Sequence, residues 1–233
     1  LVTNADAAFA YIAQYDNVLP IWGIQRPEEL EQWLGFFRTP ASLTPELRSF
    51  IEKERSELTG EFAAIRHEME SVAACLGGKV LGQVKEQEFW KALPRLRKAC
   101  GDRAVLRAVH YFEENARALA QRNALVSGDF NAFLQLILES GHASFVLCQN
   151  VYCSTDVRHQ GLSVALALSQ SLLEGQGGAW RMQGGGFAGT IQAFVPAPLL
   201  EAYCAAIESV FGPGSCYRLK LREQGAVQIG SEM

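Results

Sequence analysis

The chain has 233 residues, 48% hydrophobic and 20% charged, with 21 basic against 25 acidic side chains. That is a globular composition, with length for one large domain or two small ones. A net charge of -4 argues against nucleic-acid binding as the main business of the surface, and no window reaches the roughly 18 unbroken apolar residues of a membrane span.

Residues 1–60 carry nine acids and five bases, the whole net charge, whereas 61–233 carry sixteen of each. Pro20, Pro27, Pro40 and Pro45 predict short helices here, and Trp22, Trp33, Phe36, Phe37 and Phe50 supply packing. The first residue is Leu1, which predicts a chain processed or cut from something longer. No charged-then-apolar leader opens it. From Pro45 to Leu76 the spacing predicts a helix with Gly60 as its weak point. Phe62, Ile65, Met69, Val72 and Ala73 share one face, and Gly77-Gly78 ends it.

Helices follow over Glu86–Ala99, with a kink expected at Pro94, over Arg103–Val126, and from an Asp129 cap through Ser140. Another is read over Gly161–Leu173. The basic run Lys91, Arg95, Arg97, Lys98, Arg103 and Arg107 reads as a solvated helix face. Residues 175–189 contain seven glycines. Ala179–Met182 and Thr190–Val195 read as strands around the turn Gly184-Gly185-Gly186, followed by a helix over Pro198–Phe211. Cys216–Leu221 alternates like a strand, and Ala226–Ile229 reads as another. Helices first, then strand, glycine loop, strand, helix and strand, predict an α+β fold.

Cys75, Cys100, Cys148, Cys153, Cys204 and Cys216 form no CxxC pair and have no His at zinc-finger spacing. They read as reduced structural thiols of a cytoplasmic protein, with Cys75, Cys100 and Cys204 on buried helix faces. His110 with Glu113 or Glu114 reads as a hydrogen-bonded pair and not a metal site. Glu113–Arg117 reads as an ordinary ion pair of little energy. His142 and Ser144 read as a loop cap.

Gly178-Ala-Trp-Arg-Met-Gln-Gly-Gly-Gly-Phe-Ala-Gly-Thr190 is the most informative segment. Consecutive glycines permit either close backbone packing or an N–H cradle for an anion, and the residues leave both open. The segment resembles the third glycine motif of the GHMP small-molecule kinases, and within them that of the galactokinase family. Three more segments are similar to that family, in the same order. Phe62 and Arg66 stand in its Tyr-x-x-x-Arg helix. Arg107, His110, Glu114, Asn115 and Arg117 match its Arg-x-x-His-x-x-x-Glu-Asn-x-Arg helix. Ser140-Gly-His142-Ala-Ser144 matches its Ser-His-x-Ser turn.

The resemblance covers about residues 60–229. It implies a GHMP-like C-terminal α+β domain over 60–233, preceded by a helical segment, 1–59, of unassigned family. Gly184, Gly185, Gly186, Phe187, Ala188 and Gly189 would then line a substrate and nucleotide cleft together with Phe62, which replaces a sugar-contacting Tyr.

The family's Gly-Glu-His-Thr-Asp-Tyr sugar signature, its Ser-rich phosphate loop and its catalytic Asp do not occur in this sequence. The expectation is therefore no catalytic and no metal-ligating residue in this chain. ATP and Mg²⁺ would serve the complete family enzyme, with sugar and ATP as its small-molecule partners. None is expected to bind this chain tightly, and neither nucleic acid nor membrane is expected as a partner. The alternatives are a catalytically dead sugar- or nucleotide-binding module, or an interaction domain using the aromatics of residues 1–59.

Overall fold

A computed structural model describes residues 45–187 and 189–219, with side chains from Gly60 onward. Helix α1 spans Pro45–Cys75 and runs through Gly60 without a break. It closes on paired backbone bonds, Gly78 N–H to Ala73 O at 2.9 Å and Gly77 N–H to Ala74 O at 3.1 Å, the reciprocal pattern of a Schellman end. The expected aromatics of residues 1–44 and the strand at 226–229 lie outside the described residues.

A short 3-10 turn, Leu81–Gln83, buries Leu81. Helix α2, Glu86–Cys100, has Glu86 and Glu88 in its first turn and Arg97 and Lys98 in its last, each sign matched to the helix dipole. Pro94 is accommodated inside it. Helix α3 is Asp102–Val126. Met69, Val72 and Ala73 of α1, Phe89 and Leu96 of α2, and Ala104, Val105 and Ala108 of α3 form the main helical core.

Helix α4, Phe130–Ala143, is capped as expected, the Ala132 N–H donating to Asp129 Oδ1 at 2.9 Å. It outruns the expected end at Ser140 and passes into a π turn, Ser144–Cys148, that stops at left-handed Gln149. The Ser140–Ser144 segment is therefore helix end and not loop.

Helix α5 is Gly161–Leu173. Strand β1, Ala179–Gln183, pairs antiparallel with β2, Thr190–Phe194, in the register Ala179↔Phe194 to Gln183↔Thr190. Strand alternation divides β1 between two layers. Ala179 packs with Leu134 and Ile137 of α4. Met182 packs with Leu162 of α5, and Trp180 joins Leu173, Tyr203 and Ile207. Tyr203 and Ile207 belong to helix α6, Leu200–Phe211, which follows a 3-10 turn at Ala197–Leu199. A two-stranded sheet thus lies between α4 on one face and α5 with α6 on the other, and the α+β order holds.

Cys216–Leu219 is not a strand. Its alternation serves a helix surface: Cys216 Sγ lies 3.2 Å from Cys204 Sγ on α6, and Arg218 pairs with Glu201 at 2.6 Å. Lys220 and Leu221 lie outside the described residues. No helix among the described residues is long and apolar enough to cross a membrane.

Candidate functional site

The glycine turn joins β1 to β2 and is fastened from the side by the segment after the π turn. The Phe187 N–H donates to the Asn150 carbonyl at 2.5 Å, and Asn150 Nδ2 donates to the Gly185 carbonyl at 3.0 Å. Gly186 has φ +88°, and a Cβ there would overlap the Asn150 carbonyl oxygen outright. Gly186 is thus demanded twice, by its backbone angle and by close approach. At this position close packing is the physical reason for glycine. Phe187 is itself left-handed at φ +57°, a strained state for a bulky residue. Its ring is buried and meets Phe62 edge-on, centroids 5.2 Å apart.

Phe62 stays 41% exposed, so the face of α1 divides: Val72 and Ala73 enter the core, while Phe62 turns to the glycine turn. A Cβ on Gly185 would come within 2.6 Å of Phe62 Cε1. The structure therefore brings Phe62, Gly185, Gly186 and Phe187 together. Gly184 and Gly189 flank them as exposed turn residues, and Ala188 lies outside the described residues.

Linked to this turn through the Cys148–Asn150 segment is an ion network that overturns the reading of Arg107 as part of a solvated face. Arg107 is completely buried. Its Nη1 lies 2.9 Å from Glu68 Oε2, and its Nε donates to the Cys148 carbonyl at 3.0 Å. Arg103 also pairs with Glu68, at 2.6 Å. The rest of the basic run is exposed or half-buried, and Arg97 pairs with Asp102 at 2.6 Å. Glu68 on α1 thus holds Arg107 on α3, Arg107 holds the π turn, and Asn150 two residues beyond that turn holds the glycine turn.

The remaining motif residues form a second polar cluster. Glu114 accepts from the Ser140 hydroxyl and from Arg117, and Arg181 Nη1 of β1 lies 3.7 Å from it. Arg117 also reaches Glu113 at 3.4 Å and Glu139 at 3.9 Å, so the expected isolated pair is one edge of a network. Gly141 lets α4 approach β1: a Cβ there would meet the Trp180 carbonyl at 3.0 Å. His110 Nδ1 is buried with no hydrogen-bond partner, contrary to the pair read from the sequence. Burial pushes its imidazole below the usual range. Glu114 opposes that shift, and Arg117 and Arg181 reinforce it. His142 is exposed in the last turn of α4, and buried Ser144 stands at that helix's C-cap position, so the expected cap closes a helix that runs on into the π turn and not a loop. Arg66 lies exposed and pairs with Glu70 at 2.7 Å.

The cysteine reading changes at two positions, since Cys75 is exposed and Cys100 only half-buried. Burial raises the Cys148 thiol to about 11, which makes it a poor nucleophile. Among the described residues, no group of three or more His, Cys, Asp or Glu side chains is placed to hold a metal ion. What the turn and Phe62 offer chemically is an apolar wall beside exposed backbone at Gly184 and Gly185. It can line a cleft and exclude water, and it presents no nucleophile–base pair.

Sequence reasoning missed Asn150, Glu68 and the bridging part of Arg107. Asn150 belongs to no motif. Glu68 and Arg107 are 39 positions apart and carry no spacing signal.

No family model matches the chain. A galactokinase from Mannheimia succiniciproducens is 32% identical over 144 residues, covering 62% of this chain and 35% of that protein. The crystal structure of Lactococcus lactis galactokinase complexed with galactose matches with a TM-score of 0.49 at 25% identity. That match covers 67% of this chain and 38% of that one. The matched region spans about a third of the length of these galactokinases. The galactokinase resemblance carried by the motifs is therefore met again in a direct comparison of sequences.

Proposed function

We propose that this chain is the C-terminal part of a galactokinase-like cytoplasmic enzyme that transfers the γ-phosphoryl group of ATP to the anomeric hydroxyl of galactose or a related sugar. The observation that carries the reading is the glycine turn, built on Gly186 against Asn150 and walled by Phe62, in a chain 32% identical to a galactokinase over 144 residues. Phosphoryl transfer depends on positioning and charge stabilisation. Here Phe62, Gly185 and Phe187 line a cleft wall, Asn150 fixes its shape, and the Glu68–Arg107 pair backs it. The phosphate loop, the base and the Mg²⁺ ligands are assigned to sequence that this chain does not contain.

The expected result of an assay with ATP, Mg²⁺ and galactose on the chain alone is no turnover. Clear sugar phosphate formation would overturn the assignment of catalysis elsewhere. Phe62 has no hydroxyl, and this favours one second reading, a binding module without catalysis. Calorimetry separates the two: tight galactose or nucleotide binding without turnover supports the module, and absence of binding supports a part of a larger enzyme.

A further inference from the structure

Two pairs of cysteines lie side by side, and they differ in accessibility. Cys75 and Cys100 are the last residues of α1 and α2, 25 positions apart in the chain, with their sulfurs 3.5 Å from each other. Cys75 is exposed and Cys100 half-buried. The Arg95 side chain donates to the Cys75 carbonyl at 3.1 Å, placing a fixed positive charge beside the pair. A disulfide needs sulfurs about 2.05 Å apart, so closure requires an approach of only about 1.5 Å. Helix-terminal residues can absorb such a shift, because their backbone is not locked by the ladder on both sides.

Cys204 and Cys216 are nearer, at 3.2 Å, yet Cys204 is buried. The Cys216 thiol is raised to about 12, first by burial and then by its bond to Cys204. Distance alone selects this inner pair, and access to an oxidant selects the outer one.

We propose that Cys75 and Cys100 are a reversible modification site, a dithiol that closes to an intrachain disulfide on exchange with a small-molecule disulfide. The exposed Cys75 thiolate attacks one sulfur of the small disulfide RSSR. A protein–SR bond forms and one RS⁻ leaves. Deprotonated Cys100 then attacks Cys75 Sγ, and the second RS⁻ leaves. The two thiol protons pass through solvent to the departing thiolates. In balance, two protein thiols and RSSR give one protein disulfide and two RSH. Cys100 is placed for the second step by its position 3.5 Å from Cys75 Sγ, and its half-burial, which also holds its thiol above the usual range, leaves first attack to the exposed Cys75.

The test uses the full reduced chain incubated with oxidised glutathione. The expected product has lost the mass of two hydrogens, yields a peptide cross-link between Cys75 and Cys100, and reverts with dithiothreitol. Its melting midpoint is expected to rise by about 5–10 °C, as a staple closing a loop of this size predicts. Cys100→Ser is expected to stop at a single glutathione adduct on Cys75, and Cys75→Ser to give neither adduct nor cross-link. A cross-link at Cys204–Cys216 in its place, or a persistent glutathione adduct on the unaltered chain, overturns the proposal. The peptide map of the unaltered chain decides the matter even if a variant does not fold.

Discussion

The Arg107 network and the Gly186 turn each join segments far apart in the chain, and they do so by opposite means. Arg107 uses the full reach of a long side chain, from Glu68 on α1 to the Cys148 carbonyl. Gly186 works by having no side chain, so that backbone meets backbone at Asn150. The first contact has neighbours that share its work, since Arg103 also holds Glu68. The second has no spare room, because any added atom falls on a carbonyl. A charge network degrades in steps, whereas a close backbone approach is kept or lost whole.

The sharpest way to break the comparison is Gly186→Ala. Overlap with the Asn150 carbonyl and the positive φ together predict a loss of about 4 kcal/mol, read by chemical denaturation. A loss below about 1 kcal/mol would mean that the turn can slide off Asn150. Next comes Arg107→Ala, expected to cost about 3 kcal/mol by leaving Glu68 half-buried with Arg103 alone. Arg107→Lys is expected to recover part of this, because one ammonium reaches Glu68 or Cys148 O but not both. Equal losses for the two Arg107 variants would show that packing and not charge sets the cost.

The smallest effect lies at His110 and is a matter of pH. Burial holds its folded pKa below the unfolded value, so the unfolded chain takes up the proton first as pH falls. The contribution is full above about pH 6.5 and is lost as pH drops through that value towards the folded pKa. His110→Asn is expected to flatten the denaturation midpoint between about pH 8 and about pH 5 relative to the unaltered chain. Parallel profiles would place the titration elsewhere.

The same contrast explains what could be read from the sequence. Periodicity and caps are local, so Asp129, the Gly161–Leu173 helix and both strands came through to within a few residues. The glycine turn was visible as composition, and the family likeness pointed to Phe62 and Phe187. Asn150 was invisible, because its role is set by a carbonyl that meets Gly186 across 36 positions. Arg107 was misread for a related reason. A basic run resembles solvated charge until a partner 39 positions away turns one member inward. Cys216 to Leu219 failed through ambiguity, since alternation looks alike whether it meets a strand or the side of α6.

Helix α1 bears on how the protein should be trimmed for laboratory work. It is one rod from Pro45 to Cys75, about 46 Å long at the standard rise, and the family likeness begins near its middle. A version started at residue 60, where homology would suggest the cut, carries its raw helix end directly beside Phe62. The orphaned amide groups of that new first turn would then sit beside Phe62 and fray the turn that seats its ring. A cut ahead of Pro45 would instead keep the described length of α1 whole.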